Sequence, residues 1–159
     1  MALTLKQAQM QAMAAQAENT YPEECCGLLL GTLEREHDRR WVHELLPLEN
    51  RWTAEVQALI EPNPAFPAST LDKRTRYWID PKAVMEAQRY VRDRGWIILG
   101  VYHSHPDNSA LPSERDRRLA WSDYSYPILS VVKGKVVDVQ SWRLREDGQF
   151  QPEAIASDK

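Results

Sequence analysis

Two of the chain's four histidines, His103 and His105, stand two residues apart in Gly100-Val101-Tyr102-His103-Ser104-His105-Pro106, and Ser113 and Asp116 follow closely. The apolar run from Trp96 to Tyr102 leads directly into the pair and predicts a buried strand that ends there. Side chains alternate along a strand, so both imidazoles project from one face, close enough to share one ion. Neutral imidazole is a good zinc ligand. Two imidazoles and a carboxylate leave a fourth tetrahedral position for water, the arrangement of catalytic rather than structural zinc. Ser113 is a natural N-cap, and Asp116, in the first turn of the helix it opens, can turn its carboxylate back toward the strand end. The chemistry this set supports is hydrolysis: zinc acidifies its water, a nearby carboxylate accepts the proton, and a hydroxyl such as that of Ser113 donates to the developing oxyanion.

Each residue also has a plainer reading. A His-x-His pair alone is commonly a hydrogen-bonded surface pair. Ser113 with Asp116 reads equally as an N-cap followed by a first-turn acid, a role compatible with metal binding. For the proton-accepting carboxylate, Glu23 and Glu24 both stand at the mouth of the apolar segment Cys25-Cys26-Gly27-Leu28-Leu29-Leu30-Gly31, and composition does not separate them. Either could be a solvated strand-end acid. His37 and His43 lie outside any such spacing and read as structural.

Positioning these residues requires a sheet with helices against it. Thr4 followed by Gln7 predicts a capping-box start to a first helix reaching about Glu18. Cys26 to Leu30 predicts a strand buried on both faces. The mixed-charge run Glu34 to Arg40 predicts a solvated hairpin connection into a strand over Trp41 to Leu48. Residues 51–75, with Pro62, Pro64 and Pro67, predict a long Pro-rich loop that touches substrate or forms an insertion. A short strand Arg76 to Ile79 precedes Asp80-Pro81, an N-cap with proline at the first helical position, and a helix runs to Arg94 with Gly95 ending it. A third helix runs from Ser113 to about Tyr124. Pro127 to Val132 and Val136 to Leu144, joined through Gly134, predict a β-hairpin. The expected fold is α/β, a single mixed β-sheet flanked by about three helices, in one domain over residues 1–152 with a frayed tail at 153–159.

Bulk properties narrow the class. With 159 residues, 43% hydrophobic and 27% charged, the chain is large enough to bury a core. A net charge of −3 with interspersed signs supplies no basic field for nucleic acid, and a protein or small-molecule partner is expected instead. No stretch approaches the roughly 18 apolar residues of a membrane span, and the N-terminus lacks the pattern of a signal peptide, so a cytoplasmic protein is expected. The only cysteines, Cys25 and Cys26, are adjacent, which suits a reducing compartment. With no Cys-x-x-Cys and no His-x-Glu, the zinc deaminase reading fails.

His103-Ser104-His105-Pro106 through Ser113 and Asp116, with Glu24-Cys25-Cys26-Gly27-Leu28-Leu29-Leu30-Gly31 upstream, resembles the JAMM (MPN+, Mov34/PAD-1) metallopeptidase family. Arg76 to Pro81 before a helix extends the likeness to its small prokaryotic members, so it covers most of the chain. The resemblance implies a cytidine deaminase-like architecture with one zinc held by His103, His105 and Asp116. It also implies Glu24 as the base, two residues before the Cys26-Gly27 pair, and Ser113 as oxyanion donor. The implied substrate is a peptide or isopeptide bond near the C-terminus of a ubiquitin-like β-grasp sulfur carrier. The Pro-rich segment between Asn50 and Arg76 is longer than in the smallest members. The alternative is a non-catalytic MPN-type protein-binding scaffold, although such relatives lack the motif intact here. Six tryptophans leave room for a protein interface, a homodimer included.

Overall fold

A computed structural model describes residues 1–61 and 70–158. The elements are β1 (Ala2–Lys6), α1 (Gln7–Thr20), β2 (Cys26–Glu34), β3 (Arg39–Leu48), α2 (Ala54–Ile60), α3 (Pro81–Arg94), β4 (Ile97–Pro106), α4 (Glu114–Leu119), β5 (Ser125–Val132), β6 (Lys135–Leu144) and β7 (Phe150–Asp158). The strands follow the order β1-β3-β2-β4-β5-β6-β7 and close on themselves as a barrel. Pairing is antiparallel except for β4 with β5 and for β1, which lies parallel to both β3 and β7.

The unbroken apolar run in β2 follows from burial on two sides. Leu29 packs with Leu3, Leu5, Met13, Leu99 and Leu129 in a core that includes α1. Leu28 and Leu30 point the other way and pack with Ala87 and Val91 of α3 and with Ile98. Alternation along one strand thus feeds two cores, and no polar face remains to mark the period. Where β4 runs beside β5, a Cβ at Gly100 would lie 1.9 Å from the Ser125 carbonyl oxygen, so only glycine allows that approach. The helix between Asp80 and Gly95 forms as expected. Asp80 accepts from the Lys82 N–H, Pro81 opens the helix, and Gly95 closes it at φ 70°.

Six expectations change. The sheet is closed rather than open and flanked, because the two chain ends supply its closing strands: Ala2 to Lys6 pair in register with Ala154 to Asp158. Residues 153–158 are therefore the greater part of β7, not a frayed tail. Glu153 is buried in it, bonded to Ser141 and Arg143 of the neighbouring strand. Thr4 does not cap a helix, since Leu3 and Leu5 alternate into the core and make a strand. Gln9 instead closes the helix start by accepting from the Lys6 N–H at 2.8 Å.

Within 51–75, Thr53 caps the short helix α2 by accepting from the Val56 N–H, which brings the helices among the described residues to four. Pro62, Pro64 and Pro67 lie outside the described residues. Arg76 to Ile79 is extended but joins no sheet; it is held instead by Asn50 and Arg51. Finally, α4 stops at Leu119, since the Trp121 N–H donates to the Tyr126 hydroxyl rather than continuing the helix. Among the described residues no helix is long and apolar enough to cross a membrane.

Candidate active site

The end of β4 emerges between β2 and β5, with Cys26 paired to His103 on one side and Ile128 on the other. His103 and His105 share a face, and their Nε2 atoms lie 3.1 Å apart. Ser104 faces the opposite way, where its Oγ accepts from the Cys25 N–H at 2.8 Å and fixes the chain beside Glu24. Ser113 caps α4 by accepting from the Asp116 N–H, and the Ser113 N–H donates to Asp116 Oδ2 at 2.9 Å. That reciprocal cap aims the aspartate at the histidines: Oδ2 is 3.2 Å from His105 Nε2 and Oδ1 is 3.4 Å from His103 Nε2. Glu24, His103 and His105 each bring one donor atom to within 4.8 Å of the others. All five residues singled out in the sequence therefore meet at one place. Ser113 lies at its rim and serves visibly as the cap.

The ring nitrogens test whether a cation fits. His105 Nδ1 lies 2.8 Å from the Ser109 carbonyl oxygen, which can only accept, so Nδ1 carries the hydrogen. In the neutral ring, Nε2 is then a lone pair facing the acceptor-only carboxylate of Asp116. Two acceptors at that separation need a proton or a cation between them. His103 Nδ1 is buried without a hydrogen-bond partner among the described residues. Its ring is oriented by Tyr77, stacked on it at 4.6 Å between centroids. Two imidazoles and carboxylates converging on one point suit zinc.

Electrostatics set the protonation states. Burial raises Glu24 from 4.5 to about 8; the Asp116 charge adds to this, while His105, Arg115 and Arg76 oppose it. Burial pulls His103 below its ordinary value despite Asp116. Burial also works against a charge on His105, but the contacts with Asp116 outweigh it and the net shift is upward. Burial alone would raise Asp116, yet the charge and hydrogen bond of His103, the hydrogen bond of His105 and the Ser113 N–H hold it well below the usual carboxylate range.

Three contributors carry no sequence signal. Asn50, 8% exposed, donates to the carbonyls of Glu24 and Arg76 at 3.1 and 3.0 Å, and its Oδ1 accepts from the N–H groups of Trp52 and Trp78. It thereby locks the Glu24 segment to the 76–78 segment. Ser104 acts on the chain beside Glu24 and Tyr77 on His103, as described, and only folding makes them neighbours of the residues they hold. The cleft itself, about 330 Å³, has Glu24, His105 and Asp116 among its lining residues, with Arg74, Thr75 and Arg76 also facing it.

Comparison with known proteins bears on the family and the fold. The family model described as prokaryotic homologs of the JAB domain matches residues 6–145. The chain is 34% identical over 95 residues to a probable TtuB-protein conjugate cleaving protease of Thermus thermophilus, covering 60% of this chain and 47% of that protein. It is 31% identical over 110 residues to the desampylase of Haloferax volcanii, covering 69% and 63%. It is also 26% identical over 147 residues to the CysO-cysteine peptidase of Mycobacterium tuberculosis, covering 92% and 84%. The match thus spans about half to under two thirds of the first two relatives. Among solved structures, a Desulfitobacterium hafniense protein superposes with TM-score 0.73 at 33% identity, over 99% of this chain and 93% of that one. A JAB1/MPN domain protein from Archaeoglobus fulgidus, at TM-score 0.53 and 16% identity over 98% and 99%, shares the fold.

Proposed function

The chain belongs to the prokaryotic homologues of the JAB domain, and on that premise we propose that it is a zinc-dependent peptidase or isopeptidase. Its substrate is an amide bond at or near the C-terminus of a ubiquitin-like β-grasp sulfur carrier or its conjugate. The observation that carries this reading is the convergence of Glu24, His103, His105 and Asp116 at the end of β4. The names of the relatives, a conjugate cleaving protease, a desampylase and a CysO-cysteine peptidase, support the substrate class.

His103, His105 and Asp116 would hold the zinc, with Glu24 beside it. Bound there, zinc supplies a Lewis acid that polarises the scissile carbonyl and makes water nucleophilic near neutral pH. Glu24, buried and lining the same cleft as His105 and Asp116, is placed to accept a proton there and give it back. It takes a proton from the attacking water as the oxygen bonds to the carbonyl carbon, and returns it to the nitrogen as the carbon–nitrogen bond breaks. Ser113 keeps its cap by accepting from the Asp116 N–H, and its own hydroxyl hydrogen is available to the carbonyl oxygen as charge develops.

The test is to incubate the zinc-loaded chain with the host's β-grasp carriers carrying short C-terminal extensions and to weigh the products by mass spectrometry. Cleavage at the end of the carrier sequence is expected. Intact substrates across all carriers would contradict the proposal.

A further inference from the structure

The cleft that contains Glu24 has two arginines among its lining residues, and they differ in how their charges are met. Arg74 is closed off: its Nε and Nη2 both donate to Asp72 Oδ2, at 3.0 and 2.7 Å. Arg76 has no such partner. Its Nη1 donates to the carbonyl of its own neighbour, Thr75, at 2.8 Å. Its Nε is buried with no hydrogen-bond partner, and among the described residues no carboxylate lies within ion-pair distance. Its charge acts on Glu24 without forming an ion pair. Arg115, 7% exposed, is a second positive charge near enough to be influenced by that of Arg76. The nearest acid to Arg115, Glu61, lies 3.6 Å from its Nε and is also engaged by Arg118 at 3.1 Å.

A buried guanidinium N–H without an acceptor is costly to keep, and the planar fork to which this Nε belongs matches a carboxylate in two-point contact. We propose that Arg76 binds the free α-carboxylate of the residue released by cleavage. The preferred substrate is then a carrier extended by a C-terminal amino acid, rather than one joined to a lysine side chain. The inference rests on the peptidase reading of the site and names its leaving group.

Covalent geometry limits where that carboxylate can sit. In a terminal residue the carboxylate carbon is two bonds from the scissile nitrogen, a path of about 3 Å. A nitrogen placed to receive a proton from Glu24 therefore puts the carboxylate in the same cleft, where Arg76 also lies. In a lysine isopeptide the scissile nitrogen is followed by four methylenes and carries no nearby anion, so Arg76 would remain unmatched. Hydrolysis adds the water's hydroxyl to the carrier's carbonyl carbon and its hydrogen to the released nitrogen. The carboxylate on Arg76 passes through the reaction unchanged.

The experiment uses a fluorescein-labelled peptide ending in Gly-Gly-Ala as the free acid and its C-terminal amide. Binding to the zinc-loaded Glu24→Gln protein is read by anisotropy, and turnover is read with the wild-type protein. The free acid is expected to bind about tenfold more tightly than the amide. Arg76→Ala in the same background should bring the ratio to about one. Arg76→Lys, which keeps the charge and loses the fork, should give an intermediate ratio. Equal binding of acid and amide, failure of the acid to bind, or a ratio undiminished in Arg76→Ala would overturn the assignment. Turnover separates this from the parent reading: cleavage of both peptides without preference removes the role of Arg76 and leaves the peptidase, whereas an Arg76-dependent preference without cleavage does the reverse.

Discussion

The end of β4 and the β2–β3 hairpin each carry two histidines, and only one of the two pairs is arranged for chemistry. On the hairpin, His37 is exposed and bonded to the Glu34 carboxylate three residues earlier. His43 bonds Thr32 Oγ1 at 2.9 Å across the strand pair and packs against Trp96. Each ring is satisfied separately, by a partner that asks nothing of the other. At the end of β4 the two Nε2 atoms face each other and a shared aspartate, and the arrangement is incomplete without a cation or proton among them. Residue type is the same in both places. What differs is convergence under burial, which leaves lone pairs and charges to be met by something the protein does not contain.

The sharpest way to break the comparison is at Glu24. Glu24→Gln should keep its zinc and lose hydrolysis by about 10²- to 10⁴-fold, measured as kcat/KM beside metal content, since it removes a base. Turnover at the wild-type rate would mean that another group takes the proton. Ser113→Ala should lower kcat by about 10²-fold as an oxyanion donor is lost. It should also lower stability by about 1 kcal/mol as α4 loses its cap. A loss of stability with kcat untouched would reduce Ser113 to the cap alone.

Chelation supplies a smaller and pH-dependent effect. Glu24 is raised from 4.5 to about 8 in the metal-free fold, so across that interval the folded chain keeps a proton that the unfolded chain gives up. Rising pH therefore removes stability. Above the ordinary histidine value of 6.5 the raised His105 acts in the same sense, while the lowered His103 adds nothing. Thermal midpoints of the chelated protein should fall between about pH 6.5 and 8, and zinc should narrow that fall by displacing the proton. A midpoint rising with pH in chelator would contradict the assignment of Glu24. Smallest of all, His43→Ala on the hairpin should alter stability by about 0.5 kcal/mol at most and leave turnover and metal content alone. A loss of zinc there would erase the distinction between the two pairs.

How far the sequence could be read follows from the distance over which each feature is determined. His103, His105, Ser113 and Asp116 lie close together on one strand–loop–helix passage, so local periodicity and a capping pattern suffice to bring them together on paper. Glu24 required the resemblance, because nothing local distinguishes it from Glu23. Barrel closure was not legible, since β1 and β7 come from opposite chain ends and their pairing with each other exists only in the folded chain. Pro152, the last residue before the expected frayed tail, sits within β7 opposite Trp142. Asn50 is an ordinary asparagine until folding places two carbonyls and two N–H groups around it. The unpartnered Nε of Arg76 likewise has no local signature, because a missing partner is visible only in three dimensions.

The central claim, that one histidine pair holds a metal and the other does not, is tested most directly by zinc stoichiometry. Purified wild-type protein, His103→Ala, and the double variant His37→Ala/His43→Ala would each be loaded with zinc, desalted and assayed by elemental mass spectrometry. About one zinc per chain is expected in the wild type and in the hairpin variant, and none in His103→Ala. A wild-type protein that retains no zinc, or a His103→Ala protein that retains all of it, would contradict the account.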